Sequence, residues 1–358
     1  MREGWEYKKF ENCIVKSPKL KQVKKEAYNN GSQYPIISQE EKFISGYCDD
    51  ESMICHIDRP IVVFGDHTRV LKYIDFDFVV GADGVKVIIP IKSIDSKFLL
   101  YFLQWYNIPN LGYSRHYKLL KDVMVPIPNC TTQQTIISEL DKLNELIQIK
   151  KEQLKDYDAL AQSIFYEMFG DPVENEKGWE VKKLGEVSIY PKERVAINQI
   201  CSSQYVGVEN LIKDRGGVRF SDNLPKADVA IAYKENDILL GNIRPYLKKI
   251  WLADKVGGAS GDVVIIRIKE RSIFPLFLFK LLSSDQFFEY DNTHTKGAKM
   301  PRGDRKAIEK FGVILPPLSL QHSFAQKIEQ IEQQKAAIQK TITDLETLLA
   351  ARMQYWFD

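Results

Sequence analysis

Cysteine is sparse in this chain. The five residues Cys13, Cys48, Cys55, Cys130 and Cys201 are odd in number and include no CxxC pair, which excludes a disulfide framework and a zinc knuckle and points to reduced thiols in a cytosol. Long apolar runs are missing too: nothing approaches the ~18 residues a membrane span needs, and Met1-Arg2-Glu3-Gly4-Trp5-Glu6 lacks the apolar stretch of a secretory signal. No sign of charge dominates, since 50 Lys+Arg against 48 Asp+Glu leave +2 over 358 residues. There is no GxxxxGK[ST] phosphate loop, no HExxH, no GxSxG elbow and no Asn/Asp-Pro-Pro-aromatic tetrapeptide. Gly257-Gly258-Ala259-Ser260-Gly261 and Gly81-Ala82-Asp83-Gly84 read as strand-connecting turns. His56, His67, His116, His294 and His322 show no metal spacing with the cysteines. No catalytic set and no metal site emerge. With 44% apolar and 27% charged residues, the composition is that of a globular binding protein of about two domains.

What is present is written twice. Trp5-Glu6-Tyr7-Lys8-Lys9-Phe10 returns as Trp179-Glu180-Val181-Lys182-Lys183-Leu184 at an offset of 174. Gly65, Leu71 and Lys72 match Gly241, Leu247 and Lys248, and Gly84 to Ile89 matches the stretch from Gly261 to Ile266. Val125-Pro126-Ile127-Pro128 with Gln133 matches Val313-Ile314-Leu315-Pro316 with Gln321 at an offset of 188. The order never changes and the offset grows only by insertion, so the chain is an internal duplication.

Each half has the same grammar. Strand-like runs (Ile61–Phe64, Val85–Ile91, Ile238–Leu240, Val263–Ile268) are followed by short helical patterns at Lys97–Trp105 and Pro275–Ser283. A single long helix then follows each head. Its apolar seam in the first half is Ile136, Leu140, Leu143, Ile147, Leu154 and Tyr157, with a polar break at Lys150. In the second half it is Phe324, Ile328, Ile331, Ile338, Ile342 and Leu345. The 4, 3 spacing is a heptad seam, which must pack on a partner, and the nearest is the other copy. Thr131 and Ser319 are the expected caps. The expected fold class is mixed α/β (α+β): two tandem-repeat globular heads separated by two long antiparallel coiled-coil helices with pseudo-two-fold symmetry. The expected boundaries are 1–128, 129–170 (helix), 171–178 (linker), 179–316 and 317–358 (helix).

Charge is partitioned between these parts. Residues 133–170 carry −3 and residues 321–358 carry −1, so the remainder carries +6. Lys16, Lys19, Lys21, Lys24 and Lys25 cluster in the first head, as do Arg115, His116, Lys118 and Lys121. The second head has Lys296, Lys299, Arg302, Arg305, Lys306 and Lys310. One such cluster is explained by a solvated face. Clusters at the same place in both copies suit double-stranded DNA, whose phosphates attract Lys and Arg. Gly112, Gly297 and Gly303 add the backbone freedom that close approach requires.

The tandem plan, the Val-Pro-Ile-Pro and Val-Ile-Leu-Pro-Pro segments, Gln133 and Gln321, Met168-Phe169-Gly170-Asp171-Pro172 and Gly178-Trp179-Glu180-Val181-Lys182-Lys183-Leu184-Gly185 together resemble the specificity (S) subunits of Type I restriction–modification enzymes. The resemblance implies that each head is a target recognition domain reading half of a bipartite DNA sequence, and that the helices set the spacer. It implies a non-catalytic cytoplasmic chain without membrane contact. Its partners would be two methylation subunits, which bind S-adenosylmethionine, either alone in a methylating complex or with restriction subunits, which use ATP and Mg. Docking of methylation subunits would account for the off-seam apolar residues Ile137, Leu146, Ile149, Leu160, Phe165 and Leu348; packing on the heads would account for them equally. Candidate DNA contacts are Arg69, Lys72, Arg115, His116 and Lys118 in the first head, and Arg244, Tyr246, Lys248, Lys296, Lys299, Arg302 and Arg305 in the second. Lys72 and Lys248, being duplicated, suit DNA backbone; Arg115 and Arg302 suit base edges. A coiled-coil scaffold with basic heads for acidic proteins, or a nuclease with an unfamiliar site, are the alternatives.

Overall fold

The structure, a computed structural model, describes residues 2–16, 20–29, 31, 33–82, 84–112, 114–297 and 299–358. Lys19 and Asp83 lie outside the described residues. The chain divides into two units, residues 1–153 with Ile338–Asp358, and Leu154–Ala337.

In the first unit, Glu6–Lys9 pairs antiparallel with Met124–Ile127, Glu6 opposite Ile127. In the second, Glu180–Lys183 pairs with Gly312–Leu315, Glu180 opposite Leu315. The repeated Trp-Glu and Val-x-x-Pro motifs are thus the two sides of one ladder that closes each head. Within each head a four-stranded antiparallel sheet has the same order in both copies: Ile14–Val15, Val85–Pro90, Ile61–Gly65, Leu71–Ile74, and Ser188–Ile189, Val263–Ile268, Ile238–Gly241, Ile250–Leu252. Its apolar runs are buried, as at Val62, Phe64, Leu240 and Val264.

A second, smaller sheet differs between the copies. Phe78–Val80 is flanked by Tyr34–Ile37 (parallel) and Ile54–Cys55 (antiparallel), just as Gly257–Ala259 is flanked by Tyr205–Val206 and Val229–Tyr233. The fourth strand joins the parallel neighbour in the first head (Gly46–Cys48) and the antiparallel one in the second (Arg194–Ala196). Gly257 and Gly258, expected in a turn, form the central strand instead. A Cβ on Gly257 would stand 2.0 Å from the Gln204 carbonyl oxygen, so glycine is there for close backbone approach.

Two 40-residue helices, Cys130–Phe169 and Leu318–Phe357, follow the heads. Thr131 and Ser319 fall inside the first turns. The first helix is capped by Asn129, whose Oδ1 accepts from the Thr132 amide at 2.8 Å. Pro317 precedes the second helix, where its missing donor costs nothing. In the first unit Glu139 binds Arg352 and accepts from Trp356 Nε1 (2.9 Å), while Lys151 pairs with Glu346 (2.7 Å). One number rises as the other falls, so these segments run antiparallel. In the second unit Asp158 pairs with Lys335 (2.7 Å) and Phe165 meets Phe324 (5.6 Å between ring centroids), again antiparallel. Ile136, Leu140, Ile147, Phe324, Ile328, Ile331, Ile338 and Ile342 are buried; Leu143, Leu154, Tyr157 and Leu345 are half-buried.

The duplicated glutamines join helix to head. Gln133, 2% exposed, accepts from the Asp95 amide and donates to the Ser93 and Pro128 carbonyls at 2.8–2.9 Å. Gln321, fully buried, repeats the set with the Phe274 amide and the Ser272 and Pro316 carbonyls. Each thereby satisfies backbone groups that burial would otherwise orphan. Of the off-seam apolar residues, Ile137 and Phe165 are buried, as packing on the heads requires. Phe165 stacks on Phe277 of the short helix Pro275–Leu282 (5.9 Å, 14° between planes), and Ile137 joins the first head's core with Phe98 of the helix Ser96–Tyr106. Leu146, Ile149, Leu160 and Leu348 remain about half exposed. All five cysteines are free, and burial pushes the Cys13 thiol up to about 11. Among the described residues no helix is long and apolar enough to cross a membrane.

Candidate nucleic-acid interface

In both heads the chain turns outward after the central strand of the larger sheet, and a second loop is stitched to that turn. In the first head, Asp66 follows Gly65, and its carbonyl accepts from the His116 amide (2.8 Å) while its Oδ1 accepts from the Tyr117 amide (2.8 Å). In the second head Asn242 follows Gly241, and its carbonyl accepts from the Gly303 amide (3.0 Å). The same hydrogen bond in the same place makes Arg115 and Arg302 equivalent: each is the exposed residue just before the stitch.

The second head's loop pair is the richer. Lys296 and Arg302 exchange both backbone hydrogen bonds at 2.9 Å, and the Arg244 amide donates to the Pro301 carbonyl at 2.8 Å. Arg244 itself lies in the left-handed region (φ 53). These bonds bring Arg244, Lys296, Lys299 and Arg302 onto one exposed loop pair, with Tyr246 on the same turn as Arg244. Acidic neighbours orient the cations without burying them: Asp304 holds Lys296 (2.6 Å) and Asp262 holds Arg302 (3.2 Å). Lys296 keeps Asp304 below the usual carboxylate range. Arg305 donates to the Gly261 carbonyl (2.8 Å). Asp304 also caps the one-turn helix Arg305–Ile308 through the Lys306 amide.

Lys248 stands apart from this group. With Arg215 it binds Asp285, Lys248 at 2.6 Å, and the two cations hold that carboxyl below its usual range. Its counterpart Lys72 is 4% exposed, and its ammonium donates to the Ser38, Lys42 and Phe43 carbonyls at 2.9, 2.6 and 3.3 Å. Burial lowers its pKa. Both members of the duplicated pair tie the head together, and Lys72 is closed off from phosphate altogether. His116 is likewise internal at 0% exposure: Nδ1 donates to the Asp66 carbonyl (2.9 Å), and Nε2 accepts from the Leu111 amide (3.1 Å). Arg69 is partly turned inward, donating to the Ile108 carbonyl at 2.8 Å. Arg115 and Lys118 stay exposed.

Gly112 (φ 70) and Gly297 (φ 93) take conformations that favour glycine. Gly303 is glycine for space: a Cβ there would stand 2.7 Å from Asp291 Oδ1 and 3.0 Å from Asn242 Oδ1. Asp66 and Asn242, which carry the stitch, were not among the residues expected from sequence. The signal was their place immediately after the duplicated glycine.

Residues 2–156 match the family described as Type I restriction modification DNA specificity domain. The chain is similar to Type I specificity subunits over part of its length. It is 24% identical over 306 residues to the Type I restriction enzyme MjaIX specificity subunit of Methanocaldococcus jannaschii, covering 74% of this chain and 69% of that one. To the EcoDI specificity subunit of Escherichia coli it is 28% identical over 107 residues, 30% of this chain and 23% of that one. The match therefore spans less than a quarter of the EcoDI subunit. The fold is that of the S subunit of the Type I restriction–modification system of M. genitalium, with TM-score 0.58, 13% identity and coverage of 99% and 96%. A chain from a structure of complex assembly and conformational transition in the type I R-M system matches at TM-score 0.58 and 15% identity, covering 99% and 98%.

Proposed function

We propose that this chain is the DNA sequence-specificity subunit of a Type I restriction–modification complex, each head reading one half of a split duplex target. One observation carries the reading. Two heads with differently built smaller sheets both present an exposed arginine on a loop stitched to the residue after the central strand. Arginine on such a loop can make the bidentate contact to guanine O6 and N7, and the surrounding lysines serve phosphates. Lys118, Lys296 and Lys299 are assigned to phosphate, Arg115 and Arg302 to base edges, and Arg244 and Tyr246 to the flank of the second loop pair. Lys72, His116 and Lys248 are assigned to the scaffold of the heads. The chain itself performs no chemistry.

Methylation subunits that bind S-adenosylmethionine would dock on the long helices, two per complex. The half-exposed Leu146, Ile149, Leu160 and Leu348 supply apolar contact. In the first unit an open groove of about 690 Å³, lined by Leu143, Lys142, Glu139, Leu348 and Arg352, is a docking surface beside them. Restriction subunits using ATP and Mg would complete a restricting form, in the cytoplasm. The helices would set the length of the unread spacer.

The test is methylation mapping in cells carrying the chain and its methylation subunits. Arg302→Ala should relax one base position in one half of the target, at ~1–3 kcal/mol, and leave the other half unchanged; Arg115→Ala should do the same in the opposite half. Uniform weakening on every sequence would reassign the residue to phosphate. An unchanged pattern with both arginines removed would mean the heads do not choose sequence, and the basic-headed scaffold would take over.

A further inference from the structure

Among the described residues, each stitched loop also carries a large apolar side chain that is exposed. Leu111 is 52% exposed in the first head and Met300 is 50% exposed in the second. Leu111 lies four residues before Arg115, and Met300 two before Arg302. The described residues beside both side chains are held by hydrogen bonds. The Leu111 amide is held by the buried His116 ring, and the Ile108 carbonyl by Arg69. Met300 is bracketed by the paired Lys296 and Arg302 backbones, and the adjacent Pro301 carbonyl is held by the Arg244 amide. A pinned apolar group left in solvent among cations suits a partner with a charged exterior and an apolar interior. Duplex DNA has that character: phosphates outside, stacked bases within.

The two loops differ in length, in the residues between the apolar group and the arginine, and in how they are pinned. What they share cannot be what distinguishes one half-target from the other. Resting on the DNA-specificity reading above, we propose that Leu111 and Met300 are wedges that enter a base step and part its stacking. The deformation is common to both halves, while the neighbouring arginines read sequence. Leucine and methionine are among the side chains that unstack DNA in this way, and the bend so made lets more of the duplex reach the protein.

The experiment uses the full chain assembled with its methylation subunits, on the target found by mapping. 2-Aminopurine is placed singly at purines of each half other than the methylated adenines, and its fluorescence reports unstacking. The wild type should brighten several-fold at one step in each half. Met300→Ala should abolish the rise in the half read by the second head only, and Leu111→Ala in the other half only; Met300→Leu should restore it, and sequence preference should survive in all three. A rise that persists in Met300→Ala, with or without a change of preferred base, overturns the wedge, as does a wild type with no unstacked step. A wild type that shows no sequence preference overturns the specificity reading instead, and that result is visible before any variant is made.

Discussion

Asp291 sits in the last turn of the helix Asp285–Thr293, 1% exposed, directly beneath Gly303. Among the described residues neither carboxyl oxygen has a hydrogen-bond partner, and the amide oxygen of Asn242 facing the same spot has none either. Burial pushes the Asp291 carboxyl up from 3.8 to about 6, with His294 pulling weakly the other way. A carboxyl raised on folding stabilises the folded state in full below the unfolded pKa, and that contribution is lost as pH rises through the folded one. At 1.36 kcal/mol per pH unit the loss is on the order of 1–2 kcal/mol at pH 5 and about 3 kcal/mol at pH 7.5. Asp291→Asn cannot ionise, and its NH2 can donate to Asn242 Oδ1. It should therefore stabilise the second head by about 2–3 kcal/mol at pH 7.5 and by roughly half that at pH 5. Amide hydrogen exchange along Asp285–Thr293 and Val263–Ile268 isolates this head from the rest of the chain. Equal protection of wild type and variant at pH 7.5, or a difference that does not change between the two pH values, would refute an unpaired buried carboxylate.

Other consequences follow from the same geometry. Gln321→Ala removes three buried hydrogen bonds at 2.8–2.9 Å and leaves an amide and two carbonyls unmet; it should cost about 2–4 kcal/mol in urea unfolding. Gln321→Glu should cost more, since a carboxylate then faces those two carbonyls. Lys72→Met should destabilise the first head by ~1–3 kcal/mol while Lys248→Met costs under about 1 kcal/mol, because only Lys72 is buried; equal losses measured by thermal unfolding would count against the assignment. Lys118→Ala should weaken DNA binding on all sequences alike and lower the log–log salt slope by about 1, as a lost phosphate contact does.

The duplication and the long helices were legible because both are written in spacing. A 4, 3 apolar rhythm implies a seam, and collinear motifs imply a repeated unit whatever their local contacts. Strands such as Val263–Ile268 were legible because continuous apolar runs must be buried on both faces. What escaped was anything set by a neighbour distant in sequence. Lys72 and Lys248 are the same letter at the same repeat position, yet one is enclosed by three carbonyls and the other meets Asp285. His116 reads as part of a basic run, and only the turn at Asp66 reveals it as an internal brace. Ile137 and Phe165 lie off the heptad seam, and periodicity along one helix cannot show that a head packs on its second face. Gly303 reads as flexibility, while its neighbours make it a matter of volume.

The ladder that closes each head carries a consequence for how such chains change. Glu6 opposite Ile127, and Glu180 opposite Leu315, bring the first and last strands of a head side by side. Everything between them is topologically a cassette, inserted through a single doorway of two four-residue strands. A recombination event that exchanges the interior has to match that doorway, the glutamine behind it and the surface around Phe98 or Phe277 that packs on the helix. The loops and the smaller sheet can then be replaced wholesale while the long helices, and whatever they hold, stay as they were.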